Sequence, residues 1–265
     1  MKVAILGANG FVGSSLVQEL RTKFVVIPVS RQTLNLADYT QVDQWLDYEK
    51  PDVIINCATA GGKQNISEIN YSELQNNLSL FMNFYNSSKV KKFINVGSGA
   101  EYNKNRNLVN VSEEEIVCST PLDTYSYSKN LISRMILTRD CFYTLRLFGC
   151  FGIKEPEFRL LKQITKSKEI NLSDKLFDFI SIGDFSSIVE HYIQNSNLPK
   201  DINCVYKEKY KLSEIVKKFI HCHDLKVDIK QVETADINYT GNSSKLENLK
   251  INLNGLDYGI ENYYS

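Results

Sequence analysis

Glycines stand at positions 7, 10 and 13, between an unbroken apolar run, Val3 to Leu6, and a segment whose Val12, Leu16, Val17 and Leu20 recur at helical spacing. A short continuous apolar run marks a strand buried on both faces, as in a parallel sheet. A strand that turns through glycine into a helix constrains the fold strongly. Gly7 permits the tight turn, Gly10 lets the backbone approach a pyrophosphate, and Gly13 allows the helix to pack closely on the sheet. The helix N-terminus adds unpaired N–H groups and the positive end of its dipole. Gly7, Asn9, Gly10, Phe11, Val12 and Gly13 are therefore assigned to a dinucleotide, although the spacing is G-x-x-G-x-x-G and not the more familiar G-x-G-x-x-G.

The chain of 265 residues is long enough for one large core, or for a dinucleotide-binding domain with a small second lobe. The 31 basic and 31 acidic residues cancel, so nothing recommends nucleic acid or an acidic membrane as partner. The N-terminus enters the first strand directly, and no apolar run approaches transmembrane length, so a cytoplasmic protein is expected. Six scattered cysteines suit reduced thiols rather than a disulfide framework. No metal site is expected. His221-Cys222-His223-Asp224 packs its ligands at consecutive positions, which suits a helix C-terminus carrying histidines better than a closed tetrahedron.

Further strands are expected at Phe24 to Val29, Val53 to Ala58, Phe93 to Val96 and Cys141 to Phe151. Helices are expected near 39–48, 72–88 and 212–221, with a last strand near 225–229. At the end of the second strand an acidic residue would hydrogen-bond the adenosine ribose of NAD. Here Ser30-Arg31 stand there, and Arg31 suits a 2′-phosphate, so NADP is favoured with NAD possible. Tyr125 and Lys129 lie four apart and share one helical face. A neighbouring ammonium would draw the phenol down from about 10. Ser98, at the end of the preceding strand, could hydrogen-bond the same carbonyl oxygen. Tyr127 is excluded as the alternative, because Leu131 stands four residues beyond it.

These features together resemble the extended short-chain dehydrogenase/reductase family, the NAD-dependent epimerase/dehydratase family, whose members mostly act on nucleotide-activated sugars. The resemblance implies an α/β fold, a Rossmann doubly wound parallel sheet with a small C-terminal substrate-binding lobe. Residues 1–152 and 178–198 would form the dinucleotide-binding domain, and 153–177 with 199–265 the lobe. It further implies that Asn35, Leu36, Cys57, Ala58, Thr59, Asn77 and Val96 border the cofactor with Tyr125 and Lys129. Ser98, Tyr125 and Lys129 would be catalytic. Ser98, Gly99, Ala100, Phe148 and Arg159 would meet the substrate, with the Ala60-Gly61-Gly62-Lys63 loop beside it. Helices starting near Ser72 and Tyr125 would pair in a homodimer.

Two departures stand out. Gly149 replaces the asparagine, and Phe177 the arginine, that contact the substrate diphosphate in many relatives. Arg159, Lys162, Lys166, Lys168 or Lys175 could take over. Ser98-Gly99-Ala100 replaces the Thr-Asp-Glu of the members that dehydrate sugars. The cysteine and histidine used by members that epimerise and reduce are also missing. The expected activity is NADPH-dependent reduction of a nucleotide-linked 4-keto-6-deoxy sugar. The alternatives are a C4-epimerase holding NAD tightly, and a non-catalytic dinucleotide-binding sensor or scaffold.

Overall fold

The computed structural model describes residues 1–59, 69–232 and 237–264. In chain order the strands and helices are β1 (Lys2–Leu6), α1 (Phe11–Leu20), β2 (Val25–Val29), α2 (Tyr39–Glu49), β3 (Val53–Asn56), α3 (Tyr71–Tyr85), β4 (Phe93–Ser98), β5 (Leu108–Val111) and α4 (Thr124–Ile136). There follow β6 (Phe142–Leu147), β7 (Gly149–Phe151), α5 (Leu160–Ile164), β8 (Glu169–Leu172), β9 (Phe179–Ser181), α6 (Ile182–Gln194) and β10 (Asp201–Cys204). The chain closes with α7 (Leu212–Cys222), β11 (Asp228–Gln231), β12 (Tyr239–Gly241), α8 (Ser244–Asn248) and α9 (Leu256–Glu261).

Six strands form one sheet in the spatial order β2-β1-β3-β4-β6-β10, every pair parallel. The alternation of β1 explains the two layers of helices. Val3 and Ile5 face a core with Leu16 and Leu20 of α1 and Phe185, Ile188 and Val189 of α6. Ala4 and Leu6 face the opposite core with Val42 and Leu46 of α2, Phe81 and Phe84 of α3, and Ile132 and Ile136 of α4. This is the expected doubly wound Rossmann architecture. After β1 the chain steps outward to β2 and then crosses back to β3. The carboxyl ends of β1 and β3 therefore flank a switch point, where such sheets bind their ligands.

Three short parallel pairs, β7–β9, β8–β11 and β5–β12, build the second region above the carboxyl ends of β4 and β6. Two expectations need correction here. Asp201–Cys204, placed in the lobe by its sequence position, is the sheet's edge strand, because Ile202 and Cys204 are buried against the main core. Cys141 to Phe151 is two strands and not one. The chain leaves the sheet at Phe148, which turns into a small core with Tyr102, Leu108, Val111, Ile116 and Val205, and β7 pairs with β9 instead.

All six cysteines are free thiols. His223 Nε2 donates to the Ile260 carbonyl at 2.8 Å and its ring packs against Phe219, so the histidine run does end a helix. Among the described residues no helix is long and apolar enough to cross a membrane.

Candidate active site

The glycine turn is shaped by close approach. Gly7 has φ +76°, and a Cβ there would lie 2.8 Å from the Ala58 amide nitrogen at the end of β3. A Cβ on Gly13 would lie 2.2 Å from the Gly7 carbonyl oxygen, so helix α1 can sit over the turn only with glycine at 13. Around Gly10 the nearest atom to such a Cβ is 3.4 Å away, which leaves the N-terminus of α1 open. Gly10 caps that helix without a side-chain bond, and its first turn holds no acidic residue. Free N–H groups with no competing carboxylate fit a pyrophosphate.

The amides of Gly7 and Ala8 both donate to the Val29 carbonyl at 3.0 Å, fixing the turn beside Ser30 and exposed Arg31. Asn35 turns its side chain to the Ala37 amide. Leu36 lies in the core, and its carbonyl accepts from Asn83 Nδ2 at 2.8 Å. Ala58 is pinned by Asn56, and Thr59 donates to buried Asn77 at 3.2 Å.

A cavity of about 510 Å³ opens next to this turn. Val12, Cys57, Thr59, Val96, Ser98, Ala100, Tyr125, Lys129, Phe148 and Arg159 all line it. Gly99 does not. A Cβ at 99 would lie 2.6 Å from the Phe148 ring, so this glycine makes room for Phe148 and has no contact of its own with the cavity. The loop Ala60 to Lys63 lies outside the described residues. Of the five cations weighed for the diphosphate, Arg159 and Lys175 reach the cavity. Lys162 bonds the Ile153 carbonyl, Lys166 pairs with Glu157, and Lys168 does not line it.

Helix α4 positions Tyr125 and Lys129. Asp123 caps it by accepting from the Ser126 amide at 3.0 Å, which places Tyr125 in the first turn and Lys129 one turn later. Lys129 is buried and its Nζ donates to the Val96 carbonyl at 2.8 Å. Burial lowers its pKa, with Glu101 and Cys57 opposing. Tyr125 shifts upward, because burial outweighs the Ser98 hydrogen bond that favours its phenolate. The expectation of a lowered tyrosine is thus reversed: the ammonium is tied to the β4 backbone, and the phenol is in an apolar wall. Burial also pushes the Cys57 thiol up to about 12, which makes it an inert wall residue.

Ser98 is fixed by a charged network behind it. Glu101 is wholly buried, accepts from the Ser98 amide at 2.7 Å through Oε1, and pairs through Oε2 with Arg146 Nε at 2.8 Å. Arg146 continues to the Tyr102 hydroxyl at 2.8 Å and to Asp201 at 3.4 Å. Asn130 of α4 donates to the Glu101 carbonyl at 2.9 Å, joining the strand end to that helix.

Lys104, Ile237 and Tyr239 also line the cavity and were not singled out from the sequence. Tyr239 arrives from β12, packed between Phe148 (ring centroids 4.9 Å) and Phe177 (5.3 Å). No local spacing announces it, since its place depends on β12 pairing with β5, where Tyr239 lies opposite Leu108 from a distant part of the chain.

A model of the NAD dependent epimerase/dehydratase family matches residues 3–204. A curated relative, GDP-6-deoxy-D-talose 4-dehydrogenase of Aggregatibacter actinomycetemcomitans, is 26% identical over 283 aligned residues, covering 97% of this chain and 92% of its own. Among solved structures, a dTDP-4-dehydrorhamnose reductase of Clostridium acetobutylicum superposes with a TM-score of 0.82 at 17% identity, covering 100% of this chain and 98% of that one. A GDP-mannoheptose C4 reductase of Campylobacter jejuni with NADP bound gives 0.78 at 22% identity, with coverage of 99% and 96%. The match runs from the glycine turn through α4 to the edge strand, and the chain belongs to the NAD dependent epimerase/dehydratase family.

Proposed function

We propose that this protein is an NADPH-dependent reductase of a nucleotide-linked 4-keto-6-deoxy sugar. The observation that carries the reading is the gathering of Ser98, Tyr125 and Lys129 on one cavity whose described lining holds no aspartate, glutamate or histidine. Glu101, the nearest carboxylate, has both oxygens committed to Ser98 and Arg146. The site therefore has groups to deliver a proton to a carbonyl oxygen and none free to strip protons from sugar carbons, as dehydration or C3/C5 epimerisation needs. The curated relative is named for a 4-dehydrogenase of a GDP-linked 6-deoxy sugar, the same position worked in the opposite direction.

The glycine turn and the N-terminus of α1 would hold the dinucleotide, which when bound would supply the hydride for the carbonyl carbon. Tyr125 gives its phenolic proton to the carbonyl oxygen as the C–O double bond becomes single, and Ser98 donates a hydrogen bond to that oxygen. A phenol held above its ordinary value is fully protonated at neutral pH, the form a reduction needs. Lys129 orients the nicotinamide ribose and adds positive charge as phenolate forms. Arg31 selects the 2′-phosphate. Lys104, Arg159 and Lys175 provide positive charge at the cavity for the substrate diphosphate, in place of the side chains absent at 149 and 177. On this reading two copies pair through α3 and α4, and Tyr71, Leu74, Leu78 and Met82 of α3 line a surface groove; analytical ultracentrifugation tests it.

The test is NADPH oxidation with GDP-, CDP-, dTDP- and UDP-linked 4-keto-6-deoxy sugars, wild type beside Tyr125→Phe. Turnover with one sugar, reduced at least about a hundredfold in the variant, establishes the reductase. No turnover with cofactor binding intact overturns it. NAD retained through purification then points to a C4-epimerase, and its absence to a sensor or scaffold.

A further inference from the structure

Glu155 and Glu157 stand four and two residues before Arg159, close enough along the chain for opposite charges to meet. Among the described residues, neither forms an ion pair with it, because each is held elsewhere. Glu157 pairs with Lys166. Glu155 is buried, and its Oε1 accepts from the Tyr263 hydroxyl at 2.6 Å. Its Oε2 has no partner, and neither has the Nε of Arg159, although both atoms are shut off from solvent. A buried polar atom left unpaired is costly unless a ligand completes it. Of these two residues Arg159 lines the cavity, whereas Glu155 and Tyr263 do not. Lys104 differs from Arg159, since Asp123 already pairs with it at 3.4 Å.

Tyr263 has little freedom. Its ring lies in the main core, edge-on to Phe219 with centroids 4.9 Å apart, and its amide donates to the Ile260 carbonyl at 3.1 Å. Burial raises the Glu155 carboxyl, opposed by the Tyr263 hydrogen bond and then by the charge of Arg159. Arg159 would therefore compete for this carboxylate if the phenol were absent.

We propose that Tyr263 is a positioning residue for Arg159: by taking the carboxylate of Glu155, it keeps the guanidinium open for the diphosphate of the substrate. Without the phenol, Glu155 would turn to Arg159 and close the pair that their spacing invites. A paired arginine binds phosphate only by giving up its partner. The inference rests on the proposed nucleotide-sugar substrate, since a diphosphate is the group Arg159 would meet, and it does not need the reduction itself.

The test uses NADPH-saturated protein with GDP, UDP, dTDP and CDP in place of the sugar. The Nε–H signal of Arg159 is followed by 15N NMR and assigned through Arg159→Lys. In the wild type at least one of the four nucleotides is expected to move it. Tyr263→Phe keeps the ring packing and is expected to raise the Kd of that nucleotide about tenfold, with the Kd of NADPH within about twofold. Adding Glu155→Gln is expected to return the nucleotide Kd to within about twofold of wild type, since a neutral amide no longer competes for the guanidinium. An Arg159 signal that none of the four moves overturns the proposal. So does an unchanged Kd in Tyr263→Phe, a loss that Glu155→Gln does not rescue, or NADPH binding weakened to the same extent. Failure of every keto sugar in the NADPH assay, with these nucleotide results intact, overturns the reductase reading alone.

Discussion

Gly149 and Phe177 interlock: a Cβ at 149 would lie 2.7 Å from Phe177 Cε1 and 2.8 Å from the Asp178 carbonyl oxygen. The residues at 149 and 177 are therefore coupled in one packing arrangement. Gly149→Asn is expected to destabilise the protein by about 1–3 kcal/mol through overpacking. Gly149→Asn with Phe177→Ala is expected to recover part of that loss, and urea unfolding of both variants measures it. Additive losses would show that the residues do not share the space.

The Glu101–Arg146 pair is wholly buried. Removing one member leaves the other charge without its best partner, and Glu101→Ala is expected to cost about 3–5 kcal/mol. Because Glu101 also holds the Ser98 amide, Glu101→Gln is expected to retain more stability than Glu101→Ala yet lower kcat. Chemical denaturation and NADPH oxidation together check this.

Asp178 follows Phe177 of the cavity wall and is paired with Lys209 at 2.9 Å while accepting from the Gly241 amide at 2.8 Å. Burial lifts its carboxyl to about 6, with Lys209 pulling the other way. The folded value exceeds the ordinary 3.8, so the fold favours the protonated form. This contribution is fully present below about pH 4 and is lost as pH rises through about 6. The stability of wild type relative to Asp178→Asn is expected to fall across that window and then level. Urea unfolding at several pH values would show a flat difference if the carboxyl titrates normally.

Arg31 is exposed at the end of β2, where the ribose of the adenosine half would sit. Arg31→Ala is expected to raise KM for NADPH about tenfold and leave that for NADH within about twofold. Equal effects on both cofactors would remove Arg31 from 2′-phosphate recognition.

The glycine turn and the Tyr125–Lys129 pair are legible because each is a local spacing, and local spacing survives whatever the rest of the chain does. Ser98 is legible one step further, from the end of an apolar strand. Tyr239 and Lys104 are not, since they join the site through β12, β5 and the turn after β4, contacts between distant parts of the chain. The pKa direction of Tyr125 is equally hidden. Spacing places Lys129 on the same helical face, but it does not say that the ammonium bonds the Val96 carbonyl or that the phenol is buried. Gly99 reads as a small residue for substrate, whereas its neighbour in space is Phe148.

Strand β12 is three residues long and stands near the end of the chain, yet it carries one wall of a cavity whose other groups come largely from earlier segments. During synthesis the glycine turn emerges first and this wall late. A chain cut before β12 would lack the wall and also Leu246, Leu256 and Ile260, which the main core buries. Completion of the cavity is thereby tied to completion of the core.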